Sequence, residues 1–191
     1  MATVSIIGTG NMGKAIAALA VKGGHSVQAL TRADSTTPVS GDIVVLALPF
    51  ASLDSVVSER GESLAGRVVV DITNPVNFET FDSLTVPADS SATATLAAAL
   101  PNSHVLKAFN TNFAGTLAEG KIGESVTTVL IAGDNADAKS MLADVVGSAG
   151  LVAVDAGSLS RARELESLGF LQMTLAAGEK ISWTGGFALT S

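Results

Sequence analysis

Residues 8–13 read Gly8-Thr9-Gly10-Asn11-Met12-Gly13, placed directly after the apolar run Val4–Ile7 and directly before a helical pattern at Asn11–Lys22. No other feature of the 191-residue chain narrows its fold as far. A G-x-G-x-x-G that joins a strand to a helix is the opening of a βαβ unit. Gly8 permits the tight turn, Gly10 lets the backbone approach a pyrophosphate, and Gly13 lets the helix pack against the sheet. The helix N-terminus adds free N–H groups and a positive dipole. Glycine-rich turns of purely structural meaning also arise by chance. Here the strand pattern at Ser26–Leu30 completes the unit, so dinucleotide binding is expected.

The rest of the chain continues the alternation. Short apolar runs, as expected of buried parallel strands, lie at Val4–Ile7, Ser26–Leu30, Ile43–Leu48, Val68–Ile72, Val105–Phe109, Thr128–Ala132 and Leu151–Val154. Helical candidates lie between and after them, at Asn11–Lys22, Ala51–Glu59, Thr93–Leu100, Asn135–Ser148 and Leu159–Ala177. Asn135 is placed to cap its helix, with Asp137 near the positive end and Met141, Leu142, Val145 and Val146 on one face. The pattern predicts an α/β fold, a doubly wound parallel sheet with a short C-terminal helical tail. Residues 1–155 form the nucleotide-binding domain. Residues 156–191, too few for a core of their own, complete the cleft or a dimer interface. Between Leu30 and Ile43 there are only about twelve residues, the lower limit for a parallel crossover, and no full helix fits there.

Composition removes several classes of function. Charged residues are 15% of the chain and hydrophobic ones 47%, which excludes disorder. The formal charge of −7 and the absence of a basic block argue against nucleic acid as a partner. There is no Cys, so thiolate chemistry and Cys-ligated metals are excluded, and His25 and His104 are the only imidazoles. Both precede strands, on the side away from the expected ligand, and read as structural. No apolar run has a membrane-spanning length, and Met1–Gly10 lacks the marks of a signal peptide, so the expected location is the cytoplasm without a membrane partner.

The second strand ends Ala29-Leu30-Thr31-Arg32, without the carboxylate that would bind a ribose 2′-hydroxyl. A hydroxyl beside an arginine suits a 2′-phosphate, so NADP(H) is the expected coenzyme with Thr31 and Arg32 as discriminators. The alternative leaves Arg32 in solvent and gives the reading to Asp34. Ligands of such folds lie outside the carboxyl ends of the strands, where the chain carries Leu48-Pro49-Phe50, Thr73-Asn74-Pro75 and Asn110-Thr111-Asn112. Asn and Thr there can orient a nicotinamide carboxamide and ribose, and Phe50 can pack on a ring. The prolines equally well end strands. The expected binding residues are therefore Gly8, Thr9, Gly10, Asn11, Met12, Gly13, Thr31, Arg32, Leu48, Pro49, Phe50, Asn74, Pro75, Asn110 and Thr111. No catalytic side chain and no metal ligand set is expected.

These segments resemble the NADPH-dependent coenzyme F420 reductases (F420:NADP oxidoreductases). The likeness rests on Ile6–Gly13, Thr31-Arg32, Val45–Pro49, Asp71–Pro75, Lys107–Thr111 and Asp155–Leu159, the last followed by Ala162-Arg163 and Leu165-Glu166. The NADPH-binding domains of membrane metalloreductases look similar. The resemblance implies hydride transfer between NADPH and a deazaflavin (F420) or a flavin, FMN or FAD, in a cleft covered by the C-terminal segment. Such chemistry needs alignment and exclusion of water rather than an acid, base or nucleophile. A non-enzymatic NADP(H)-binding module and a pyrroline-carboxylate-type imine reductase are the alternatives.

Three further expectations concern single residues. Lys107, inside an apolar strand, needs a partner, either Asp71 or a ligand phosphate. Arg163 is expected to pair with Glu164 or Glu166. The tail Trp183–Leu189 is expected to hook over a neighbouring surface, as a dimer contact or over the cleft, held by burial of Trp183 and Phe187.

Overall fold

In a computed structural model, which describes residues 1–190, β1 (Thr3–Ile7) passes through the glycine turn into α1 (Asn11–Lys22) and on to β2 (Ser26–Leu30). There follow β3 (Ile43–Leu46), α2 (Leu53–Leu64), β4 (Val68–Asp71), α3 (Ala92–Ala99) and β5 (His104–Ala108). The chain then forms α4 (Ala114–Glu119), a small hairpin of β6 (Lys121–Ile122) and β7 (Ser125–Val126), β8 (Thr128–Gly133), α5 (Ala136–Ser148), β9 (Val152–Gly157) and α6 (Ala162–Ala177). Asn135 caps α5 as expected, its side chain accepting the Ala138 N–H at 2.8 Å.

Seven strands share one sheet in the order β2-β1-β3-β4-β5-β8-β9. All neighbours are parallel except β5 and β8, which run antiparallel. The expected doubly wound parallel sheet is thus present, with one antiparallel pair that was not expected. The link from β5 to β8 carries only the six-residue α4 and the β6–β7 hairpin, not a helix long enough to return the chain to the strand's starting end. Both of these elements are missing from the sequence reading. Some helix starts also shift, because single 3₁₀ turns at Phe50–Ser52 and Leu159–Arg161 precede α2 and α6.

Buried strands with alternating side chains build two cores on the two faces. Val4, Ile6, Ile43, Val45, Val68, Val70 and Leu106 pack against α1, α4 and α5. Ile7, Val44, Leu46, Val69 and Val105 pack against α2 and α3. Each fully buried aliphatic side chain contributes about 1.5–3 kcal/mol, which makes these two layers the main stabilising term.

Polar residues on the second face are individually satisfied. Lys107 on β5 is fully buried, with its Nζ 3.0 Å from Asp71 Oδ2 on β4 and 3.0 Å from Glu166 Oε1 on α6. It also donates to the Thr73 carbonyl. The Asp71 pairing matches the expectation, and Glu166 is a further partner that was not expected for Lys107. Arg163 bonds Glu164, one of its two expected partners, its Nη2 2.7 Å from Oε1. Glu166 further accepts the Ala92 and Thr93 N–H groups at 3.0 and 3.3 Å, so a side chain of α6 caps α3.

The lean crossover between β2 and β3 has no helix beyond the 3₁₀ turn Arg32–Asp34. Two arginines hold it in place of one. Arg60 of α2 donates to the Thr37 carbonyl at 2.9 Å and to that of Asp34, and Arg67 donates to Val39 O at 2.9 Å and to Gly41 O. His25 ties the amino-terminal edge, accepting the Ala2 N–H at 3.1 Å and meeting Ser148 Oγ at 2.9 Å, which fits its structural reading.

Candidate functional site

The carboxyl ends of β1, β3, β4 and β5 open into one cleft of about 740 Å³. Gly10, Asn11 and Met12 line it from the glycine turn, Leu48, Pro49 and Phe50 from the end of β3, Asn74 from the end of β4 and Asn110 from the end of β5. Residues outside the expected set join them: Thr73, Phe78, Asn112, Phe113, Met173 of α6 and Trp183 of the tail. No charged side chain is among the lining residues. Another hollow, about 490 Å³, lies at the opposite ends of the strands among Arg67, His104 and Asn135.

The floor of the cleft is rigid for local reasons. Phe109, fully buried, ends β5 with φ 61°, a conformation that non-glycine residues adopt only where the surroundings enforce it. The turn sends Asn110 back to Asn74. Asn110 Nδ2 donates to Asn74 Oδ1 at 2.8 Å, and Asn74 Nδ2 donates to the Asn110 carbonyl at 2.9 Å. Gly169 lets α6 lie against this pair, since a Cβ there would stand 2.6 Å from Asn74 Oδ1 and 2.8 Å from the Asn110 carbonyl oxygen. Three buried polar atoms of cleft residues have no partner: Thr73 Oγ1, Asn110 Oδ1 and Asn112 Oδ1. Leaving such groups unmade costs about 1–3 kcal/mol each, so they are ready acceptors for donors of a ligand.

The glycine turn behaves as its spacing requires. Gly8 has φ +112°, and a Cβ on it would meet the Ala47 carbonyl oxygen at 2.1 Å. Gly13 is packed so tightly that a Cβ would lie 2.1 Å from the Gly8 carbonyl oxygen. Gly10 has open space around its Cβ position. Its neighbour Thr9 is exposed on the turn. Gly13, Pro75 and Thr111 are buried behind the cleft wall and do not line it. Gly13 packs α1 on β1, and the Thr111 carbonyl accepts from Gln172 Nε2 at 3.1 Å.

On the far side of β1 a smaller hollow gathers Gly8, Thr31, Arg32, Ser35, Leu48 and the face of α2 that carries Ser55, Val56, Glu59 and Arg60. Arg32 is exposed and makes no ion pair among the described residues. Asp34 does not line the hollow. Its carboxylate accepts the Thr31 hydroxyl at 2.6 Å and the Thr31 N–H at 2.8 Å, closing the turn. The hydroxyl bond first, and the N–H bond with it, hold the Asp34 carboxyl below the usual range. The clasp is therefore in force above the ordinary carboxylate pKa and is lost only as pH falls through that lowered value.

The tail covers the rim of the cleft less deeply than expected. Trp183 packs on Phe113, with ring centroids 4.9 Å apart, yet is 53% exposed, and Phe187 is 44% exposed. Both were expected to be buried. The segment is held by backbone contacts instead: the Phe187 N–H donates to Gln172 Oε1 at 3.3 Å, and Thr184 lies against Gly115 of α4.

The family model for coenzyme F420-dependent NADP oxidoreductases matches residues 28–75, the stretch holding the Thr31-Arg32 turn and the ends of β3 and β4. The F420-dependent NADP reductase of Methanocaldococcus jannaschii is 29% identical over 149 residues, 76% of this chain and 66% of that protein. The chain is similar to the F420-dependent NADP oxidoreductases. It also resembles metalloreductase STEAP3 of Rattus norvegicus, at 29% identity over 180 residues, 86% of this chain and 36% of that protein. The chain thus spans about a third of the metalloreductase and just under two thirds of the archaeal reductase. A crystal structure of a candidate F420-dependent NADP reductase from Arthrobacter sp. fb24 superposes with a TM-score of 0.84 over 100% of both chains, at 23% identity, which establishes the shared fold. No helix among the described residues is long and apolar enough to cross a membrane, and no cluster of potential metal ligands occurs among them.

Proposed function

We propose that this chain is an NADP(H)-dependent oxidoreductase that passes a hydride between NADPH and a deazaflavin (F420) or flavin ring. The observation that carries the reading is the position of the glycine turn. It stands between the Thr31–Arg32 hollow and the uncharged cleft, so one extended dinucleotide crossing Gly8–Gly13 reaches both. When bound, the nicotinamide supplies the hydride, and a ring stacked on it is the acceptor. The chain's own part is alignment. Gly10 and the α1 N-terminus receive the pyrophosphate. Thr73, Asn110 and Asn112 offer their unpartnered atoms to the amide and ribose of the nicotinamide half. Met12, Leu48, Phe50 and Phe113 exclude water from the stacked rings. Both redox partners already carry the chemistry, which fits a cleft without a charged lining group.

The acceptor is tested by mixing the protein with NADPH and, in turn, F420, FMN and FAD, while following nicotinamide absorbance and ring binding. Oxidation is expected with one ring class, which names the acceptor. Tight NADPH binding without turnover by any ring would overturn the enzymatic reading in favour of a coenzyme-binding module.

Coenzyme choice rests on Arg32. Its free guanidinium at the mouth of the hollow is the cation available to a 2′-phosphate in a protein of net charge −7. Arg32→Ala is expected to weaken NADPH binding by roughly tenfold or more, as loss of a charge-assisted bond does, while NADH binding stays the same. An unchanged NADPH-to-NADH ratio would return the assignment to Asp34.

A further inference from the structure

The smaller hollow contains a carboxylate that the 2′-phosphate reading does not use. Ser52, Ser55, Val56 and Glu59 stand at i, i+3, i+4 and i+7, so the 3₁₀ turn and α2 present them as one stripe toward Thr31, Arg32 and Gly8. Val56, 8% exposed, and the half-buried Leu48 give the hollow an apolar floor. Glu59 closes the hollow at the far end of the stripe, where the Ser55 hydroxyl donates to Oε1 at 2.8 Å.

Two guanidiniums line the same hollow, and neither forms an ion pair with Glu59. Arg60 donates to the Thr37 and Asp34 carbonyls, and Arg32 lies free at the mouth. Glu59 is thus a carboxylate held by Ser55, with Oε2 unused, inside a pocket proposed to receive a polyanion. A carboxylate there repels every phosphate of the coenzyme unless it faces a part that donates hydrogen bonds. The purine base has one donor group, the exocyclic 6-amine, and its remaining polar ring atoms N1, N3 and N7 all accept. With the 2′-phosphate at Arg32, since both Thr31 donors are committed to Asp34, the base would extend across the Leu48–Val56 floor toward α2.

We infer that Glu59 is a specificity-determining residue that reads the adenine end of the coenzyme by accepting a hydrogen bond from the 6-amine, with Ser55 orienting its carboxylate. This rests on the proposal that NADP(H) occupies the hollow. A purine without the 6-amine leaves the carboxylate without its donor, so the pocket selects adenine over unsubstituted purine at a point remote from the redox chemistry.

The probe is the reduced nicotinamide purine dinucleotide phosphate, in which hydrogen replaces the 6-amine and the ring acceptors N1, N3 and N7 are unchanged. Calorimetric titration is expected to show it binding the native protein about tenfold or more weakly, the size of effect when a charged acceptor loses its donor. In Glu59→Leu, which offers no acceptor, the two coenzymes are expected to bind within about threefold of each other. Ser55→Ala is expected to lie between. Glu59 is exposed, so the variant's melting temperature serves as the control for folding. Equal affinity of the native protein for the two coenzymes, or a preference unchanged in Glu59→Leu, overturns the inference while leaving NADPH binding intact. Failure of the native protein to bind NADPH at all overturns the underlying assignment instead.

Discussion

Lys107→Met is expected to destabilise the protein by about 3–5 kcal/mol, the usual cost of removing one partner from a buried ionic cluster, and to lower the melting temperature by roughly 6–20 °C. Methionine nearly matches the lysine stem in shape, so the loss is electrostatic rather than a cavity. The ammonium stands 3.0 Å from both Asp71 Oδ2 and Glu166 Oε1, and all three side chains are 0% exposed. Without it the two carboxylates meet only across the Thr93 hydroxyl, which lies 2.7 Å from Asp71 and 3.3 Å from Glu166. The injury spreads because the cluster joins β4, β5, α6 and the N-terminus of α3. It also reaches the cleft: the Thr73 carbonyl loses its donor, and Thr73 lines the floor. Adding Glu166→Gln to Lys107→Met removes one of the opposed charges and is expected to restore part of the lost stability, a coupling that a double-mutant cycle reads directly. Thermal unfolding of the three variants checks both statements. A melting temperature for Lys107→Met within about 2 °C of native would mean that the cluster contributes almost nothing net.

That cluster also marks the limit of what the chain's residues disclosed on their own. A lysine inside Val105–Phe109 announces a buried partner because an unpaired ammonium there is too costly. The pattern pointed to Asp71, whose strand is adjacent, but not to Glu166, because contacts between segments distant in sequence have no local period. Main strands and helices were legible for the opposite reason: parallel strands buried on both faces produce continuous apolar runs. The direction of β8 was not, since an apolar run reads the same either way. The lean crossover at residues 31–42 correctly signalled a missing helix. Its replacement was visible only as two arginines seven apart, Arg60 and Arg67, a spacing with many other meanings. At the cleft, strand-end residues Leu48, Pro49, Phe50, Asn74 and Asn110 followed from topology. Phe78 and Met173 did not, because a loop and a distant helix bring them there, and Trp183 was reached only as one of two places expected for the tail.

The glycine turn separates folding from binding, and substitutions at two of its positions are expected to show opposite profiles. Gly10 has φ −69° and ψ −173°, a conformation open to any residue, and nothing lies within 4 Å of its Cβ position. Gly10→Val is therefore expected to fold with a melting temperature within about 4 °C of native, since exchanging glycine at an N-cap costs at most about 1 kcal/mol. The same side chain stands where the backbone must approach a pyrophosphate, so NADPH affinity is expected to fall by about tenfold or more. Gly8→Ala is the converse case. Its φ of +112° disfavours any Cβ, and the 2.1 Å approach to the Ala47 carbonyl requires β1 and β3 to move apart at their carboxyl ends. A destabilisation of several kcal/mol is expected, roughly 10 °C in melting temperature, together with loss of coenzyme binding. Calorimetric NADPH titration beside thermal unfolding resolves the two. If Gly10→Val binds NADPH as the native protein does, the pyrophosphate does not lie on this turn, and the nucleotide-binding reading loses its anchor.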